Sequence, residues 1–169
     1  MNTGDIEAGC KRVIRDAAER LTKDRIVNDT AWTDAIFEDL TRYAYHELVP
    51  GLCVWSKGNA VDRTLTGFLY DFMACEGEGK AGEDIGKVWV ALESEWSPYF
   101  EKVKEDFYKL VLGRSMLRVM IFKSRDVEKD ISKLVRILET SPMSVSGDRY
   151  LFAGWSEDEG FIFKSHSKA

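Results

Sequence analysis

The sequence predicts an α/β or α+β sandwich built on a mixed β-sheet, and three observations carry that prediction. Segments with apolar residues at helical spacing alternate with short apolar or aromatic runs, in the order helix, helix, three strands, helix, strand, helix, two strands. No repeat, low-complexity tract or long linker interrupts the 169 residues, so the chain reads as one domain over 1–169. The composition is that of a globular protein, 44% hydrophobic and 31% charged, and the length is enough to bury a substantial core.

The elements follow in order. Residues 6–23 read as a first helix. Thr30 is positioned to cap a second, over 32–47, in which Trp32, Ile36, Leu40 and Tyr43 recur at helical spacing until "VPGL" ends it. "LCVWS" reads as a short strand, and the aromatic-rich "TGFLYDFMAC" (66–75) as another. "EGEGKAGEDIG" is a glycine-rich hairpin connection to the returning strand "KVWVALESEW", 87–96. After "SP" a helix from Tyr99 to Gly113 buries Phe100, Val103, Phe107, Leu110 and Val111. "MLRVMIF" is a short apolar strand of the kind that occupies a sheet centre. A helix over 126–139 buries Val127, Ile131, Leu134 and Leu138, and "RYLFAGWS" and "GFIFKS" close the chain as two strands joined by the acidic turn "EDE".

Composition also excludes function classes. No apolar run approaches the roughly 18 residues of a membrane span, and "MNTGDIEAGCKRVIRD" lacks the apolar region of a secretory signal. Cys10, Cys53 and Cys75 are odd in number and widely spaced, which points to a reducing cytoplasm and to neither a disulfide framework nor a zinc site. Two histidines, neither in ligand spacing, add nothing to a zinc case. A net charge of −5 argues against a non-specific polyanion binder. "GEGKAG" lacks the length and the Ser/Thr of a phosphate loop, no serine sits in a nucleophile elbow, and no organic cofactor is expected.

The chemistry sits in the central hairpin. Asp71 falls between Tyr70 and Phe72, inside an aromatic strand where a charge needs a reason. Glu93 and Glu95 are two residues apart at the end of an apolar strand and so share a face. If the two strands pair antiparallel around residues 76–86, Asp71 lies near the level of the glutamates. Three carboxylates would then converge, and their repulsion is relieved only by a cation between them. A hard divalent ion suits such a set.

Asp on one strand, then Glu-x-Lys about twenty residues later on the next, followed by a helix, is the pattern of the PD-(D/E)XK nuclease superfamily. Residues 30–123 resemble its core of helix, three strands, helix and strand, with 1–29 as an added N-terminal helix and 124–169 as an added helix and strand pair. In "ESE" the lysine position is Glu95, which is similar to the variant used by restriction endonucleases of the BamHI and BglII kind. The resemblance implies a restriction-endonuclease-like three-layer sandwich, a central mixed sheet flanked by helices. It implies Mg²⁺ or Mn²⁺ held by Asp71 and Glu93, with Glu95 in the third slot as general base, the favoured role, or as ligand of a second ion. Superfamily members often add a carboxylate from the first core helix, and Glu47 ends that helix's apolar stripe, whereas Glu38 points away. Glu47 is therefore a further expected metal ligand. Lys109 in "DFYKL" lies opposite the buried stripe on the helical wheel and is expected in solvent.

The expected partner is DNA. Arg114, Arg118 and Lys123 open a basic stretch, and Arg125, Lys129, Lys133 and Arg136 then recur at spacings that make one basic helix face. Little chain remains for base-reading loops, so weak sequence specificity, structure-based recognition or a homodimer that pools two small surfaces is expected. Trp55, Trp96 and Trp155 are suited either to stack on bases or to cap the core, and core is the preferred reading. The function expected is thus a metal-dependent DNA nuclease, with a catalytically inactive DNA-binding or protein-assembly module of the same fold as the alternative.

Overall fold

The structure is a computed structural model and describes residues 2–49, 51–57, 69–77 and 85–169. Its elements are α1 (Thr3–Lys23), α2 (Asp29–Tyr43), a π-helical turn (Ala44–Leu48), β1 (Leu52–Ser56), β2 (Phe72–Glu76) and β3 (Val88–Glu95). They continue with α3 (Phe100–Leu112), β4 (Leu117–Lys123), α4 (Val127–Thr140), β5 (Arg149–Ser156) and β6 (Gly160–Ser167). The strands form a six-stranded sheet in chain order, with β1–β2 and β5–β6 antiparallel and β4–β5 parallel. This is the mixed α/β fold class that the element order predicts. Among the described residues no helix is long and apolar enough to cross a membrane. The chain divides into two compact units, Met1–Val90 and Ala91–Ala169.

In the first unit, α1 starts three residues earlier than its apolar period because Asn2 and Asp5 form a reciprocal capping box. Ile6, Cys10, Val13, Ile14, Ala17 and Leu21 form its buried stripe. Gly9 lets α2 come close: a Cβ there would lie 2.1 Å from the Tyr43 hydroxyl. The cap of α2 is Asn28, whose side chain accepts from the Thr30 and Ala31 amides, and not the expected Thr30. The predicted stripe of Trp32, Ile36, Leu40 and Tyr43 is buried throughout. On β2, Phe72 packs against Phe37 of α2 at 6.0 Å between ring centroids.

Asp71 stands just outside β2 and not within a strand over 66–75. Leu69, two residues upstream, has φ 51°, a left-handed conformation that no strand accommodates. Residues 66–68 and 78–84, which the sequence assigns to that strand and to the hairpin connection, lie outside the described residues.

In the second unit, β4, α4 and β5 form a crossover between parallel strands, and β6 returns beside β5 across the Glu157–Glu159 turn. Phe107 of α3 lies against Tyr150 and Phe152 of β5, 5.9 and 5.7 Å between ring centroids. Gly154 of β5 lies under Val127 of α4, where a Cβ would come within 2.3 Å of Val127 Cγ1. Both helices therefore cover the face of β5 that carries residues 150, 152 and 154. The predicted stripes of α3 and α4 are buried, except that Phe100 is only half-buried.

Candidate functional site

The most unusual group in the second unit is Glu93, a carboxylate with 0% exposure two residues before the end of β3. Such a charge requires an equally close counter-charge. It comes from α3: Lys109 Nζ lies 3.0 Å from Glu93 Oε2 and 2.7 Å from Asp106 Oδ1. Lys109 was expected in solvent; its side chain is 42% exposed, but its ammonium is held by the two carboxylates. The helical wheel fixes the direction of its Cα, but the four-carbon stem carries the ammonium back towards the sheet. Partial burial pulls its pKa down. The hydrogen bonds to Asp106 and Glu93 outweigh that and hold it above the ordinary lysine value of 10.5.

Glu95, two residues on, is half-buried, and its Oε1 accepts the Ser97 amide at 2.7 Å as the chain turns out of β3. Lys102, one face around α3, has its pKa raised by its hydrogen bond to Glu105, with smaller pulls from Glu95 and Asp106. Glu93 and Asp106 therefore share the Lys109 ammonium, and Glu95 acts on Lys102 of the same helix. Sequence reasoning missed Asp106 and the reach of Lys109. The signal was present: a glutamate at an inward position of an apolar strand demands a cation, and the next helix carries Asp106 and Lys109 one turn apart.

Asp71, in the first unit, is nearly buried, and its carboxylate pairs with Lys57 Nζ at 3.3 Å. The Lys57 amide also donates to the Asp71 carbonyl at 2.8 Å, one rung beyond the Ser56–Phe72 pair of the β1–β2 ladder. Glu47, also in the first unit, pairs with Arg12 of α1 at 2.7 Å, with side chains 55% and 49% exposed. It lies in the π-helical turn, whose wider period shifts side chains off an α-helical wheel drawn through residue 47. Glu38 pairs with Arg42 on the same helix.

These candidate ligands are all carboxylates, the donors that a hard divalent cation takes, so in donor chemistry they fit Mg²⁺. Among the described residues no group of three or more His, Cys, Asp and Glu is arranged to hold a metal ion. Cysteine chemistry is poorly served. Burial pushes the Cys10 thiol up to about 12 and the Cys75 thiol up to about 11, so both stay protonated at neutral pH.

The expected basic face divides on inspection. Lys129 and Arg136 are exposed on α4, while Lys133 pairs with Asp130 at 2.7 Å and lies over the Phe100 ring. Arg125 precedes the helix, whose N-cap is Asp126, so it belongs to the β4–α4 connection. Arg118, counted with the basic stretch, is 1% exposed and serves the interior. Its guanidinium donates to the carbonyls of Leu110, Gly113 and Ser115 at the end of α3 and pairs with Asp148 at 3.2 Å. In comparisons with family models, curated proteins and solved structures, nothing matches the chain.

Proposed function

We propose that this chain is a Mg²⁺-dependent nuclease of the PD-(D/E)XK kind acting on DNA phosphodiesters, in which Lys109 supplies the amine that the Glu-Ser-Glu motif lacks. The observation that carries the reading is the 3.0 Å approach of the Lys109 ammonium to the buried Glu93. Glu93 would hold the ion. When bound, Mg²⁺ or Mn²⁺ would polarise the phosphoryl oxygen and acidify a bound water. Lys109, released from Glu93, would offset the negative charge that develops on the phosphate. Glu95, its carboxylate oriented by the Ser97 amide, would take the proton of the attacking water. The exposed Lys129 and Arg136, with Lys133 and Arg125, would track the DNA backbone. Three free cysteines suit a reducing cytoplasm, and a homodimer would supply the second reading surface that one chain of this size lacks.

A second reading has its own support. Asp71, Glu93 and Glu47 each face a lysine or arginine, and this balance suits a non-catalytic DNA-binding or assembly module. Plasmid nicking in Mg²⁺ or Mn²⁺ separates the two. The nuclease reading expects metal-dependent cleavage by the native chain, reduced about a hundredfold or more in Glu93→Gln and in Lys109→Met. Circular dichroism would confirm that each variant is folded. A native chain that cleaves no nucleic acid with either metal would leave the module.

A further inference from the structure

A cavity of about 550 Å³ opens in the second unit, lined by Pro98, Lys123, Ser124, Arg125, Ser156, Glu157 and Asp158. Four of these, Ser124, Arg125, Glu157 and Asp158, follow the ends of the parallel strands β4 and β5, which Lys123 and Ser156 close. Crevices outside the carboxyl ends of such strands are where open α/β sheets bind ligands, and the volume is that of a small-ligand site.

Charge and aromatic surface narrow the ligand. Arg125 is exposed and, among the described residues, has no ion-pair or hydrogen-bond partner. Lys123 pairs with Glu157 at 3.1 Å, but the Glu157 side chain is 80% exposed, so a phosphate can replace it at little cost. In the sheet register Lys123 stands opposite Trp155, and Trp155 opposite Phe161, so cation and rings form one row on one face. Trp155 and Phe161 are half-buried, 5.2 Å apart and edge-on, and half-buried Trp96 meets Phe161 at 6.5 Å. Sequence alone leaves these tryptophans between base stacking and the core, with the core preferred; in the fold they are half-buried, and Trp155 adjoins the cavity through its sheet partner Lys123 and its chain neighbour Ser156. Pro98 comes three residues after Glu95, so the chain itself links the cavity to the end of the carboxylate strand.

We infer that this cavity takes an unstacked nucleotide of single-stranded DNA, its phosphate on Arg125 and Lys123 and its base against the Trp155–Phe161 row. The inference rests on the nuclease reading and names its substrate. A base inside a duplex presents no face for stacking, whereas an unpaired one does. Glu157 and Asp158 repel phosphate from their side of the cavity and so set its direction.

The test is fluorescence anisotropy in EDTA, where cleavage cannot intervene, with a labelled oligothymidylate of about 12 nucleotides and a duplex of the same length. The native chain is expected to bind the single strand more tightly. Arg125→Glu and Trp155→Leu should each weaken that binding about tenfold, roughly the loss of one phosphate contact or one base stack, and remove the preference. Arg125→Glu changes an exposed side chain and carries the test should Trp155→Leu fail to fold. Variants that bind the single strand as the native chain does, or a native chain without strand preference, would overturn the inference. Plasmid nicking that persists in that case leaves the nuclease reading standing. Strand binding through Arg125 and Trp155 with no cleavage would sink the nuclease reading alone.

Discussion

Among the described residues of the first unit every paired charge keeps some contact with water: Arg12–Glu47 at 2.7 Å has both partners about half exposed, Arg20–Asp39 lies at 2.9 Å beside Arg42–Glu38, and the nearly buried Glu7 and Asp71 keep 8% and 9% exposure. In the second, two charges have been taken inside. Glu93 has 0% exposure and Arg118 1%. The chemistry of the groups is similar and their energetics are not. An exposed pair gives back little beyond what water already supplied, whereas a buried charge depends on its partner because desolvation has removed the alternative. Buried charge therefore marks where this sequence has committed itself, to helix capping at Arg118 and to the candidate site at Glu93.

The largest expected effect is at Arg118. Its guanidinium closes the end of α3 by meeting carbonyls of Leu110, Gly113 and Ser115, and it neutralises Asp148, itself 8% exposed. Arg118→Met leaves those acceptors and the carboxylate without it, and the expected loss is about 3–4 kcal/mol in urea denaturation. A loss below about 1 kcal/mol would erase the contrast between the units.

Next comes Lys109. Lys109→Met strands the buried Glu93, but the Lys109 side chain is 42% exposed and water can enter, so about 2 kcal/mol is expected. Its dependence on pH has a definite sign. The folded pKa of Lys109 lies above 10.5, so the pair contributes fully below that value and is lost as pH rises beyond it. The stability gap between native chain and variant should accordingly be constant at neutral pH and close in strongly alkaline solution. A gap that instead widens with pH would show that Lys109 is not held by Glu93.

The helices and strands were legible because burial imposes period: every residue of the α2 stripe and the α4 stripe named from spacing is buried. What spacing could not show was the reach of long side chains. Lys109 read as a solvated cation and Arg118 as part of a basic stretch, and both send their charged ends to buried partners along flexible stems. Glu47 was placed on the α2 stripe by a helical wheel. The wheel assumes α-helix, and the π-helical turn over Ala44–Leu48 breaks its phase. Glu93 was singled out for its position beside Glu95, but its burial, the property that now gives it weight, depends on a tertiary environment that no window of sequence contains.

The smallest effect sharpens the comparison from the other side. Arg12 and Glu47 approach as closely as any pair in the protein needs to, and Arg12 also lies 5.9 Å from the centre of the Tyr43 ring. Close approach alone is not stability when both ends are about half in water, because ordering two long side chains costs about what the attraction returns. A double-mutant cycle with Arg12→Ala and Glu47→Gln should give a coupling of about 0.5 kcal/mol or less, falling further in high salt. A coupling of about 2 kcal/mol that salt does not screen would place this pair with Glu93 and Lys109. Distance would then predict the strength of ion pairs in this protein as well as burial does.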